Sequence, residues 1–195
     1  MNASSTQDRI VDAATRLILE RGYAATTVDQ IVAAARVAKG SVYHFFDSKE
    51  AVGRAALDAY FQRGLAVVAV GSYTTVEDPV ARTFAFLDHL EGVSPELWAH
   101  GCLGGTLSVE LEALGPGMRD AVAGWMARIE QQLERMLQPA AAASRIPDGP
   151  TAGELAAQLL AAVEGAIVVG RARGEPERIA RAIREFRRYV RAIVG

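Results

Sequence analysis

TTVDQIVAAARVAKGSVYHFF, residues 26–46, is the stretch whose reading decides the fold. Thr27 is followed three residues later by Gln30, the spacing of a capping box, in which each side chain satisfies a backbone amide at the other's position. A short helix therefore opens there and runs to about Ala35. Residues 36–39 make a tight turn, and residues 40 to about 45 a second short helix. Upstream, Ile10, Ala14, Leu17 and Ile18 recur at helical spacing among Asp8, Arg9, Asp12 and Arg16, which predicts an amphipathic helix from residue 6 to about 21, ended by Gly22. Downstream, Asp47 followed by Glu50 repeats the capping pattern. It starts a long helix over 48 to about 69 that carries Val52, Leu57, Ala59, Tyr60 and Phe61. Three short helices followed by a capped long one have the spacing of a helix-turn-helix unit.

Beyond residue 71 the chain continues without strand-like alternation or internal repeat. Pro79 suits the first turn of a helix that runs to about Leu90, where EGVSP is a break. Residues 97–114 read as helical but interrupted by Gly101, Gly104 and Gly105. GPG at 115–117 breaks the chain again before a long helix from 118 to about 143. SRIPDGP, 144–150, is the clearest loop. Two final helices follow, about 151–173 and 176–194, split by Gly174. In the last, Ile179, Ile183, Phe186, Val190 and Ile193 step by four, three, four and three, one continuous apolar stripe. The fold class is all-α, with about nine or ten helices. A three-helix domain with a helix-turn-helix, the expected DNA-binding domain, is predicted over residues 1–50, with the connecting helix over about 48–69. A larger helical domain spans 71–195.

Composition narrows the classes. Of 195 residues half are hydrophobic and the formal net charge is −2, so global charge gives no support to nucleic-acid binding. Locally, residues 36–54 hold Arg36, Lys39, Lys49 and Arg54 against Asp47 and Glu50, an excess of +2. One cysteine, Cys102, rules out an intrachain disulfide and a cysteine-based zinc site. The N-terminus lacks an apolar signal core, and stretches such as AAVEGAIVVG contain a charge and fall short of a membrane span. These readings predict a cytoplasmic protein with no membrane partner, no metal and no cofactor. The three histidines, the cysteine and the scattered carboxylates make no recognisable nucleophile–base spacing, so no enzyme is expected.

Ala25-Thr26-Thr27-Val28 with Ile31, then Val37-Ala38-Lys39-Gly40-Ser41-Val42-Tyr43-His44-Phe45-Phe46 and Ser48-Lys49-Glu50, resemble the TetR family of repressors. In such a unit the second helix enters the major groove with its N-terminal residues near base edges. Gly40 would let the backbone approach closely, Ser41 could reach a base edge or phosphate, and Val42 could touch a thymine methyl. Tyr43, His44 and Lys49 could reach phosphates, as could Thr27 at the earlier helix start. The resemblance implies that these positions face DNA and that Arg36 and Lys39 flank the groove. Val28, Ile31, Val37 and Phe45 are expected in the small domain's core.

For the C-terminal half the resemblance implies an inducer site and dimerisation through the last two helices. Leu155, Leu159, Val163 and Ile167 with Ile179, Ile183, Phe186 and Val190 would form that dimer interface; the other reading is that these stripes only complete each chain's own core. Candidate inducer contacts are Phe84, Phe86, His89, Trp98, His100, Cys102, Thr106, Trp125 and Glu164, apolar and aromatic with a few polar groups. Cys102 is either an inert buried hydrophobe or a thiol sensor. The function expected is a ligand-responsive repressor: a homodimer on a palindromic double-stranded operator, released by a small apolar or aromatic inducer. The alternatives are a thiol-based sensor acting through Cys102 and an all-α binding module without DNA activity.

Overall fold

The computed structural model describes residues 5–195. Among them every regular element is helical. The helices are α1 (Thr6–Arg21), α2 (Val28–Ala35), α3 (Lys39–Phe45), α4 (Lys49–Ala69), α5 (Pro79–Leu97), α6 (Leu103–Ser108), α7 (Pro116–Ala142), α8 (Ala152–Arg173) and α9 (Arg178–Val194), with 3-10 turns at Ser72–Thr75 and Leu111–Ala113. The chain divides into two compact units, and these do not follow chain order. One holds the residues up to Arg63 together with Cys102–Met126; the other holds Gly64–Gly101 and Ala127–Gly195. The sequence reading counted 102–126 with the C-terminal half. Leu103, Leu107 and Met118 instead bury their side chains in the N-terminal unit, where α6 packs on α1.

In the N-terminal unit α1 also packs on α2 and α3, over a core that includes Ile10, Ile18, Ile31, Val42 and Leu57. The Thr27–Gln30 capping box forms as read. The cap of α4 does not: Ser48 Oγ, rather than Asp47, accepts from Ala51 N at 3.1 Å. In the other unit α9 packs between α5 and α8. Arg184 and Arg187 of α9 pair with Glu91, and Arg187 also with Asp88, on α5.

Two local readings are corrected by the structure. α5 does not stop at EGVSP but runs through Pro95 to Leu97. A proline lacks the amide that would bond the carbonyl four residues back, here that of Glu91. The buried Ser94 hydroxyl donates to that carbonyl at 2.8 Å, so the acceptor is not stranded. In residues 97–114 the chain does break at Gly101, which takes φ +99, outside helical space, but Gly104 and Gly105 do not interrupt: both lie within α6.

The apolar stripes of the last two helices are also reassigned. Leu155, Leu159, Val163 and Ile167 of α8 and Ile179, Ile183, Phe186 and Val190 of α9 are all buried within the single chain. They complete its own core, because α5 and α8 enclose α9, and none of them is free to meet a second copy. What α8 leaves on the surface is a different face: Ala157, Ala161, Gly165, Val168 and Ala172, all exposed, with Val168 at 63%. Small or apolar residues therefore line both sides of the helix. With 22 residues, α8 is long and apolar enough to cross a membrane by length and composition alone, which the shorter window AAVEGAIVVG did not suggest.

Replacing Ile183, fully buried between these helices, by alanine removes three methyl or methylene groups and leaves a cavity. Ile183→Ala should lower stability by about 2–5 kcal/mol, measured as a shift in the denaturant midpoint at unchanged slope.

Candidate nucleic-acid interface

A helix of eight residues such as α2 is marginal by itself, and its terminal carbonyls need partners. α2 ends at Arg36, a non-glycine residue in the left-handed conformation at φ +53. Arg9 Nη2 of α1 donates to both Ala35 O and Arg36 O, each at 2.6 Å. The guanidinium thus supplies positive charge where the helix dipole is negative, and pins the turn from outside it. α3 follows after Val37 and Ala38. It is held inward by Val42, which is 1% exposed.

The remainder of α3 faces solvent. Tyr43 is 51% exposed, His44 and Gly40 are exposed and Ser41 is half-buried. Phe45, expected in the core, is 41% exposed and stands edge-on to His44, their ring centroids 4.8 Å apart. The core position is taken by Phe46. A Cβ on Gly40 would meet nothing within 4 Å, so no packing inside the protein requires glycine there. No carboxylate lies within α3.

Charge at this face is partly spoken for. Lys39 Nζ pairs with Asp29 Oδ1 at 2.7 Å, and that hydrogen bond and charge raise the lysine's pKa. Both groups are exposed, so water and salt screen the pair and a phosphate can compete for the lysine. Lys49 lies with Nζ 4.1 Å from the centroid of the Tyr23 ring, a cation–π contact. Its pKa is pushed down by burial, against which the nearby Glu110 charge acts. Burial, and then the charge of Glu50, push the Tyr23 hydroxyl up.

The sequence-predicted DNA contacts are therefore sorted by the structure. Gly40, Tyr43 and His44 share the exposed side of α3, with Ser41 at its margin and Lys39 at its start. Arg36 is exposed on the preceding turn. Thr27 is exposed, but its hydroxyl is occupied by Gln30 N at 3.2 Å. Val42 is withdrawn from the set, because a side chain facing the core cannot touch a thymine methyl. Sequence reasoning missed Arg9 and Phe45. Arg9 sits 26 residues from the carbonyl it holds, a distance no local pattern reports.

The nine candidate inducer contacts do not fall in one unit. Cys102, Thr106 and Trp125 belong to the N-terminal unit. There Trp125 lies so close over Gly104 that a Cβ would overlap its ring, and its buried Nε1 has no hydrogen-bond partner among the described residues. Cys102, 3% exposed, caps α6, its Sγ accepting from Gly105 N at 3.4 Å. Phe84, Phe86, His89, Trp98, His100 and Glu164 belong to the other unit. Phe86 and His89 meet there around Tyr73, with ring centroids 5.3 and 5.6 Å from it, and His89 Nε2 lies 3.3 Å from Val67 O. Phe84 lies under Arg191, and His100 is exposed.

Comparison with known proteins bears on this arrangement. Residues 10–56 match the family described as "Bacterial regulatory proteins, tetR family". Residues 79–186 match "Tetracyclin repressor-like, C-terminal domain". The chain is 30% identical over 192 residues to the transcriptional regulator AcuR of Cereibacter sphaeroides, covering 96% of this chain and 86% of that one. It is 35% identical over 123 residues to the HTH-type transcriptional repressor DhaR of Mycobacterium sp. (strain GP1), covering 61% of this chain and 59% of that one. A crystal structure of a regulatory protein TetR from Rhodobacter sphaeroides superposes with a TM-score of 0.77 at 28% identity, covering 92% of this chain and 96% of that one.

The geometry of α3 predicts opposite outcomes at adjacent positions. Gly40→Ala should leave thermal unfolding unchanged or slightly raised, since alanine is the better helix former and meets nothing. Val42→Ala should destabilise by about 2 kcal/mol through lost burial. Thermal scans of the two variants beside the wild type check both.

Proposed function

The chain belongs to the TetR family of DNA-binding transcriptional regulators, and from that premise we propose that it is a repressor that binds a palindromic operator as a homodimer and releases it when a small apolar or aromatic inducer binds. The observation that carries the DNA-binding face is the exposed row on α3. Tyr43 and His44 stand outside, Val42 anchors inside, and Gly40 is glycine with no neighbour in its own protein to explain it. A glycine at the start of a recognition helix is explained by what approaches from outside, the DNA backbone. Tyr43 and His44 would donate to phosphates, Lys39 would exchange Asp29 for a phosphate, and Ser41 would reach a base edge.

A single unit with a local excess of +2 offers few phosphate contacts, and two copies on a two-fold axis double them. The exposed face of α8 suits the second copy. Ala157, Ala161, Gly165, Val168 and Ala172 are small enough for two such helices to approach closely, and the apolar surface they leave in the single chain would be buried. That pairing also accounts for the apolar character of α8 without a membrane, and the reading is of a cytoplasmic protein. For the inducer, the buried Nε1–H of Trp125 is a donor in want of an acceptor, so a mostly apolar ligand with one carbonyl or similar oxygen would suit a place beside it.

Selection of DNA from a random-sequence library by the wild type should enrich an inverted repeat with half-sites about one helical turn apart. Tyr43→Ala should weaken binding to the enriched site by about tenfold with the fold intact, as expected for loss of one phosphate contact. Val168→Glu, placed on a surface that is exposed in the single chain, should give a folded monomer that no longer binds. Enrichment of no sequence sinks the DNA-binding reading, and a dimeric Val168→Glu protein sinks the proposed interface.

Cys102 is read as a cap and not as a sensor, because its sulfur is buried and engaged with Gly105 N. Treating the wild type with hydrogen peroxide or N-ethylmaleimide should leave operator binding unchanged, and Cys102→Ser should bind as the wild type does. Loss of binding on treatment in the wild type but not in Cys102→Ser makes the protein a thiol-based sensor instead.

A further inference from the structure

Glu110 lies just beyond α6, separated from it by Val109 alone. Its Oε2 accepts a hydrogen bond from Ala24 N at 2.8 Å, across 86 residues of chain. Ala24 belongs to the turn between α1 and α2, immediately before the helix-turn-helix. The same carboxylate fills the space beside Gly22, where a Cβ would overlap Oε1; Gly22 ends α1 at φ +87. Glu110 therefore touches the turn at two points, by a hydrogen bond at Ala24 and by filling the space beside Gly22. A second carboxylate closes the arrangement from the other side. Glu50, in the first turn of α4, lies against Gly115 and Gly117 at the start of α7, so close that a Cβ on either would meet its oxygens. Lys49, beside it, rests on Tyr23 of the same turn and feels the charge of Glu110.

We propose that Glu110 is a positioning residue for DNA binding: it ties the α6–α7 segment to the turn at residues 22–24, and so fixes α2, and with it α3, in the orientation that meets the operator. The inference rests on the DNA-binding reading above. It assigns to one carboxylate the link between that surface and the segment holding Cys102, Thr106 and Trp125. α6 packs on α1 and leads directly into Glu110, so a displacement of α6 is passed to the turn through this side chain. The link can open without stranding a group, because Ala24 is exposed and its amide then meets water. A contact that is worth making and cheap to break is what a coupling element requires.

The test uses the full-length protein and the DNA enriched in the selection above, so a failure of that selection is distinct from a failure here. Four proteins are compared: wild type, Glu110→Asp, Glu110→Gln and Glu110→Ala. Asp keeps the charge but loses the reach; Gln keeps the reach and an accepting oxygen but loses the charge. Within each pair of equal charge, Asp against wild type and Ala against Gln, the shorter side chain should bind the operator more weakly: about tenfold in the charged pair, the order of one charge-assisted hydrogen bond, and about threefold in the neutral pair, the order of a neutral one. The salt dependence within each pair should be unchanged, since no phosphate contact is lost. Hydrogen exchange at residues 22–27, read by mass spectrometry, should be slow in wild type and Gln and faster in Asp and Ala. Equal affinities within both pairs overturn the proposal, as does wild-type exchange at 22–27 as fast as in an open loop. If Glu110→Ala fails to fold, the comparison of Asp with wild type and the wild-type exchange rate decide the matter alone.

Discussion

The guanidinium of Arg9 on the carbonyls of Ala35 and Arg36 is the contact on which the exposed face of α3 depends. α2 and α3 are too short to persist as free helices, and the turn between them passes through a left-handed arginine, a conformation that costs about 1–2 kcal/mol for a residue with a Cβ. α3 has a single fully buried anchor, Val42. Its direction is therefore set by the end of α2, and the end of α2 is set by α1. One nitrogen of the guanidinium, Nη2, reaches both carbonyl oxygens at once.

The same economy governs the rest of the N-terminal unit. Residues 102–126 come from the middle of the chain, yet they complete the unit through Leu103, Leu107 and Met118 in the core and through Glu110 at the rim. The contacts between carboxylates and glycines are informative here. Gly22, Gly115 and Gly117 are all positions where a side chain would displace Glu110 or Glu50. Their smallness answers a charged group brought from elsewhere and not a local turn alone.

In the other unit the physics is one of faces. A helix buries a stripe, and α9 has one: Ile179, Ile183, Phe186, Val190 and Ile193 point to α5 and α8 while its arginines face out, two of them tied to Asp88 and Glu91. α8 has two. Leu155, Leu159, Val163 and Ile167, with Ala152, Ala156, Ala166 and Gly170, fill the chain's own core, and Ala157, Ala161, Gly165, Val168, Val169 and Ala172 remain outside. Small residues on an exposed helical face leave little apolar area for a monomer to expose and much room for another helix to come close.

The sequence by itself determined the helical class, most helix bounds, the Thr27–Gln30 cap and the helix-turn-helix with Gly40, Tyr43 and His44 on it. These follow from residues within about four positions of one another, where side chains meet backbone amides of the same turn. It misjudged Asp47 as a cap, Pro95 as a break, Phe45 as core and Val42 as a contact. Each of those choices was between two local options that only packing separates: Ser48 stood next to Asp47, Phe46 next to Phe45, and Ser94 was placed to satisfy the carbonyl that Pro95 leaves. Tertiary structure alone decided which stripe of α8 is core and which is surface, that residues 102–126 belong with the N-terminal helices, and that Arg9 and Glu110 hold the turns on either side of α2. Those outcomes depend on groups 26 and 86 residues apart, and a periodic pattern records that a face is apolar without recording what will cover it.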